Sequence, residues 1–198
     1  MKRMLLVVVC LLAMTLPALA QMPAQGATAT ADPVAKALKA SFDTVSGYLA
    51  KSAEKMPEAN YSFKPTPEVR SFGEIVGHVA NAQFSYCSRV KGEANPNQGN
   101  DFEKKTAKAD LVKAIDDSSA YCSVVYGSMT DAMLLEAPPA GPPPPPPAAG
   151  AKPRPPQPPM PRLRPLLGNI THDWEHYGNF VTYLRLKGLV PPSSEPNK

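Results

Sequence analysis

The chain carries three histidines, His78, His172 and His176, and the last two are four residues apart. At about 100° per residue, their side chains project within ~40° of each other on a helix, so both imidazoles can reach one point from a single face. A third imidazole from a neighbouring helix completes a set of three nitrogen donors with at least one coordination position left open, the donor chemistry of a divalent-metal site. Spacing alone leaves a second possibility open, three solvated and unrelated rings. Two carboxylates are candidates to orient a ring or move a proton: Glu74, one turn before His78, and Asp173, beside His172. Glu74 also fits a helix cap. The run His172-Asp173-Trp174-Glu175-His176 matches the H-x-x-E-H pattern of inverted zinc peptidases, with glutamate as general base. Such a site needs a downstream acidic ligand, and the sole later carboxylate side chain is Glu195, in a proline-flanked tail.

Helices must carry these residues. Asp32 followed by Pro33 reads as a helix start, with the Asp32 side chain capping free N–H groups and proline in the first turn. Val34, Leu38, Phe42, Val45 and Leu49 then form one apolar stripe ending near Met56. Ser71 and Glu74 make a capping box for a second helix, whose stripe is Phe72, Ile75, Val79, Tyr86 and Val90 and whose end is Gly92. Residues 93–105 are polar and aperiodic. Leu111, Ile115, Cys122, Val125 and Met129 mark a third helix, with a short helical turn over residues 131–136. The last helix is expected over about residues 166–189, with Leu167, Ile170, Trp174, Tyr177, Val181 and Leu184 inward and Gly188 closing it. On that stripe the histidine pair points away from the core, as does His78 on its own helix. Four one-striped helices cover one another by packing as a four-helix bundle, so the fold class is all-α.

The rest of the chain is of a different material. Of the 25 prolines, 15 fall between Pro138 and Pro165, and residues 137–165 read as a disordered insertion, with a left-handed polyproline segment over 142–147. At the other end, Lys2 and Arg3 precede an apolar stretch that closes on Ala18-Leu19-Ala20. That is the pattern of a cleaved signal peptide over residues 1–20. The apolar stretch is too short for the ~30 Å hydrocarbon core of a membrane, so no transmembrane helix is expected after removal. The organisation is then signal peptide, a flexible segment over 21–31, three bundle helices over 32–136, the insertion, the last bundle helix over 166–190 and a tail over 191–198. Export places the protein in the periplasm or outside the cell. Cys10 leaves with the signal, and the remaining Cys87 and Cys122 are either bridged or two buried thiols. Loss of Lys2 and Arg3 leaves 19 basic against 17 acidic residues, too weak a balance for nucleic acid as a partner.

Two segments resemble a known family. Pro65-x-Pro67-Glu68-Val69-Arg70-Ser71-Phe72-Gly73-Glu74 with His78, and His172-Asp-Trp-Glu-His176-Tyr177-Gly178 running on to Tyr183-Leu184-Arg185 and Pro191-Pro192-Ser193, are similar to the opening and closing signatures of the DinB-like family. The resemblance implies a four-helix bundle with a three-histidine divalent-metal site, and its motif histidines fall on His78, His172 and His176. Zinc or nickel leads among the metals that suit three imidazoles, with cobalt and copper also suited. Two function classes follow: a metal-dependent hydrolase or transferase acting on an unidentified small molecule, or a non-catalytic, stress-associated metal-binding bundle. A homodimer is compatible with either. A cleft beside the histidines favours the first, and a fourth protein ligand the second.

Overall fold

The computed structural model describes residues 31–142 and 159–196, and all regular elements there are helical. They are α1 (Pro33–Lys55), α2 (Phe72–Lys91), α3 (Lys108–Gly127), the short α4 (Asp131–Leu135) and α5 (Leu163–Leu186), with three 3-10 turns. The expected signal peptide, and all but Pro142 of the polyproline segment, lie outside the described residues. Among the described residues no helix is long and apolar enough to cross a membrane.

The four long helices form a bundle in which α1 and α2 each pack against both α3 and α5. Side-chain pairs give the directions. Lys39 meets Ser123 while Lys108 reaches the carbonyls of Glu54 and Met56, so α1 and α3 are antiparallel. Gly73 lies against Leu111, Gln83 bonds Ser118 and Cys87 is joined to Cys122, so α2 and α3 run parallel. Parallel neighbours cannot be joined by a tight turn, and the connection from Gly92 to Ala107 must travel back along the bundle. Its 3-10 turn, Phe102–Lys104, packs on α2. Gly77 permits that approach, because a Cβ there would lie 2.3 Å from the Phe102 carbonyl oxygen.

Local signals set several helix ends. Ser71 accepts from the Glu74 N–H at 3.2 Å while Glu74 accepts from the Ser71 N–H at 2.6 Å, a complete capping box. Gly92 closes α2 at φ 70°, a conformation that favours glycine. Asp32 departs from expectation. It precedes Pro33 but makes no cap bond to its own helix. Its Oδ1 accepts from the Asp131 N–H at 3.0 Å, and Asp131 in turn accepts from the Ala35 N–H at 2.8 Å. The two aspartates exchange helix ends, which ties α4 to the start of α1.

The last helix also differs. It starts at Leu163, ahead of the expected Leu166, with Pro165 in its first turn, where the missing donor costs little. The Arg162 N–H donates to the Glu136 carbonyl at 2.8 Å, and its guanidinium reaches the Met133 carbonyl and the Glu136 carboxylate. The two ends of the proline-rich segment are thereby pinned together at one place on the bundle. The buried face of α5 is Leu166, Asn169, Ile170, Asp173, His176, Tyr177, Phe180, Tyr183 and Leu184. Leu167 and Trp174, expected inward, are exposed, as is Val34 on α1. His176, expected outside the core, is only 7% exposed. Polar residues displace the stripe because they have partners. Asp173 accepts from Gln83, Gln83 accepts from Ser118, and Asn169 donates to the Tyr126 hydroxyl. Paired in this way, these groups avoid part of the cost of lost solvation, although Oδ1 of Asn169 and Oδ1 of Asp173 have no partner among the described residues. They separate one apolar cluster around Leu49, Phe72 and Phe180 from another around Phe42, Tyr126 and Leu166. Cys87 and Cys122 belong to the second cluster, with Cα atoms 5.5 Å apart and their sulfurs joined.

Candidate metal centre

The site is built on the seam between α2 and α5, which run antiparallel. The Tyr183 hydroxyl donates to the Arg70 carbonyl at one end, and Tyr86 lies against Gly168 at the other. This register sets His78 level with the stretch between His172 and His176, so two helices present three rings at one height. Nε2 of His172 is 3.0 Å from Nε2 of His78 and 3.2 Å from Nε2 of His176, and ligand atoms of all three fall within 4.8 Å of one another. Nitrogens bound at about 2.0–2.1 Å around a tetrahedral ion stand ~3.3 Å apart. The donor set therefore fits one small divalent ion. Three lone pairs this close repel one another unless a proton or a cation lies between them, so the arrangement favours a cation electrostatically.

His78 and His176 each have a polar partner at Nδ1, on the side away from the other rings, and such a partner sets which nitrogen is left free to ligate. Nδ1 of His78 is 2.6 Å from Oε1 of Glu103, whose Oε2 accepts from the Arg70 Nε at 3.0 Å. The crossover connection therefore brings the carboxylate, and an arginine on the segment before α2 holds that carboxylate in place. Nδ2 of Asn179 stands 3.2 Å from Nδ1 of His176; turning the amide over brings its oxygen to the ring as the acceptor of an Nδ1 proton. Nδ1 of His172 is 3.9 Å from Oδ1 of Asp173, and both atoms are buried without a hydrogen-bond partner among the described residues. Asp173 is the acceptor that a small rotation of the ring would reach. Burial pushes the Asp173 carboxyl up from its ordinary range. Burial, and then the charges of His172 and His78, bring His176 down to about 4.

The residues singled out from sequence thus separate into groups. His78, His172 and His176 come together. Asp173 lies beside His172, whereas Glu74 is committed to its cap and to Lys64 at 3.1 Å. Glu195 pairs with Lys55, away from the histidines. Sequence reasoning missed Glu103, Arg70 and Asn179. Asn179, one turn after His176, was accessible from helical spacing. Glu103 lies in a stretch with no periodicity to read.

The sequence model of the DinB superfamily matches residues 41–179. This chain belongs to the DinB superfamily. A DinB-like protein from Bacillus subtilis superposes with a TM-score of 0.59 at 20% identity, covering 81% of this chain and 99% of that one. A DinB-like protein from Bacillus cereus gives 0.57 at 15% identity, over 79% of this chain and 95% of that one. A conserved protein from Enterococcus faecalis gives 0.54 at 16% identity, over 77% and 96%. At such identities the likeness shows a shared fold. No curated protein matches the chain. The matched span of the DinB superfamily takes in all three histidines and Glu103, and runs across the proline-rich segment.

A cleft of about 700 Å³ opens beside His176 of this DinB bundle, lined also by Arg70, Ile75, Glu175, Asn179 and Tyr183 among others. Among the described residues no fourth His, Cys, Asp or Glu joins the three-histidine cluster.

Proposed function

We propose that the protein is an exported DinB-type metalloprotein in which His78, His172 and His176 hold one divalent ion, zinc or nickel, and that it acts on a small molecule bound in the adjoining cleft. The observation that carries this reading is the convergence of three Nε2 atoms next to a cleft that His176 lines, with no fourth His, Cys, Asp or Glu joining the cluster among the described residues. When bound, the ion supplies Lewis acidity to an oxygen of the substrate. The chain's own groups do the rest. Glu103 orients the His78 ring, and Asn179 lies against Nδ1 of His176. Arg70 offers a guanidinium to a carbonyl or anionic group in the cleft, and Glu175 is a carboxylate there to accept a proton. Hydrolysis or group transfer is the class of reaction this set can run. A storage or purely structural site is better served by a closed, four-donor shell. The buried bridge between Cys87 and Cys122 supports an oxidising compartment, in keeping with the leader-like first 20 residues.

Elemental analysis of purified protein beside a His176→Ala variant tests the site, and a panel of ester and amide substrates assayed with the reconstituted protein tests the chemistry. The reading expects near one equivalent of metal, lost in the variant, and turnover that depends on it. Metal retained by the variant, or turnover indifferent to chelation, would overturn it.

A further inference from the structure

Farther along the α2–α5 seam, on the far side of Tyr86 from the histidines, lies a second cleft of about 440 Å³, within the size range of small-molecule sites. It shares no residue with the histidine set. Arg89 from α2 and Arg164 from the first turn of α5 line it together with Tyr86, and no carboxylate is among its lining residues. Elsewhere the arginines Arg70 and Arg162 each hold a glutamate; among the described residues Arg89 and Arg164 hold none. Arg89 is positioned nonetheless. Its guanidinium lies 5.7 Å from the Tyr86 ring centroid and donates to the Ser85 hydroxyl at 3.3 Å. The Tyr86 hydroxyl donates to no group among the described residues and is a third donor at the cleft.

The placement of Arg164 is electrostatically unfavourable as it stands. Helix α5 has no acidic residue in its first turn and no side-chain cap, so two arginines, Arg162 and Arg164, sit at the positive end of the helix dipole. Arg162 is neutralised by Glu136, and Arg164 is left for an anion to neutralise. The other wall is apolar. Met160 and Leu167 are 47% and 42% exposed there, and Gly168, whose Cβ would approach the Tyr86 ring to 3.1 Å, keeps the floor low.

We propose that this cleft binds an amphipathic anion, a carboxylate or phosphate monoester carrying an apolar chain or ring, with its charged head on Arg89, Arg164 and the Tyr86 hydroxyl and its apolar part against Met160 and Leu167. The ligand is a free small molecule or the headgroup region of an anionic lipid; the chemistry is shared. Titration calorimetry on the mature full chain, with octyl phosphate, inorganic phosphate and octanol as probes, tests it. Octyl phosphate is expected to bind at a single site more tightly than inorganic phosphate, with octanol not saturating. Arg89→Gln and Arg164→Gln should each weaken octyl phosphate roughly tenfold or more, since each removes a charge-assisted hydrogen bond. Co-sedimentation with phosphatidylglycerol vesicles but not phosphatidylcholine vesicles, lost in both variants, assigns the lipid as source. Octyl phosphate binding without co-sedimentation assigns a free anion. No saturable binding of octyl phosphate by the native chain, or the same affinity in both arginine variants, overturns the proposal.

Discussion

Oε1 of Glu103 stands 2.6 Å from Nδ1 of His78, joining a residue of an aperiodic connection to a residue in the middle of α2. The carboxylate holds the Nδ1 proton and so leaves Nε2 free to ligate. Loss of such a partner lowers metal affinity about 10–100-fold. Glu103→Gln should therefore weaken binding by that order with little change in melting temperature, and Glu103→Ala at least as much, as read by competition with a chromophoric chelator. Equal affinities in the native protein and both variants would show that Glu103 does not orient the ring.

The same connection depends on Gly77. A Cβ there would meet the Phe102 carbonyl oxygen at 2.3 Å, whereas at Gly47 on α1 nothing lies within 4 Å. Gly77→Ala should destabilise by about 1–3 kcal/mol, as overpacking does, and weaken metal binding because Glu103 moves with the connection. Gly47→Ala should stabilise by about 0.5–1 kcal/mol, since alanine is the better helix former. Urea unfolding of the pair checks both signs, and similar stabilities would contradict the packing described for Gly77.

Much of this was legible from local chemistry. The capping box at Ser71 and Glu74, the glycine at 92 and the i, i+4 histidines all act within a turn or two of chain, so their spacing reports them directly. The inward face of α5 was not legible in the same way. Asn169 and Asp173 look like surface residues until Tyr126 and Gln83, far away in sequence, supply their partners, and Leu167 and Trp174 look like core. The exchange of caps between Asp32 and Asp131 and the arrival of Glu103 at His78 are also long-range. They follow from which helices are neighbours and in which direction they run, and no period encodes that.

Protonation should act on the metal-free protein through His176. Its folded pKa is near 4, against 6.5 for the unperturbed group, so the unfolded chain takes up the proton first as pH falls. The contribution to stability is complete above about 6.5 and is lost progressively toward 4. Unfolding of the metal-free protein should show stability falling across that window, with a shallower fall in His176→Gln. Parallel pH profiles would contradict the burial assigned to this ring. Metal occupancy, which needs neutral imidazoles, should drop as pH falls through about 6.

Cys87 and Cys122 are separated by 35 residues and both are fully buried. Closing a loop of that length stabilises by about 3–4 kcal/mol, so the Cys87→Ser, Cys122→Ser double variant should lose stability of that order. Reductant should open the bridge slowly in the native protein and rapidly in denaturant, as followed by thiol titration. Two thiols that react at once under native, non-reducing conditions would contradict the bridge.

X-ray absorption of the zinc- or nickel-loaded protein addresses the three imidazoles most directly. Three histidine nitrogens at about 2.0–2.1 Å, with the outer-shell scattering of imidazole and the remaining ligands light and non-histidine, are expected for one ion held by His78, His172 and His176. A spectrum with one imidazole or none, unchanged by His78→Ala, would contradict it.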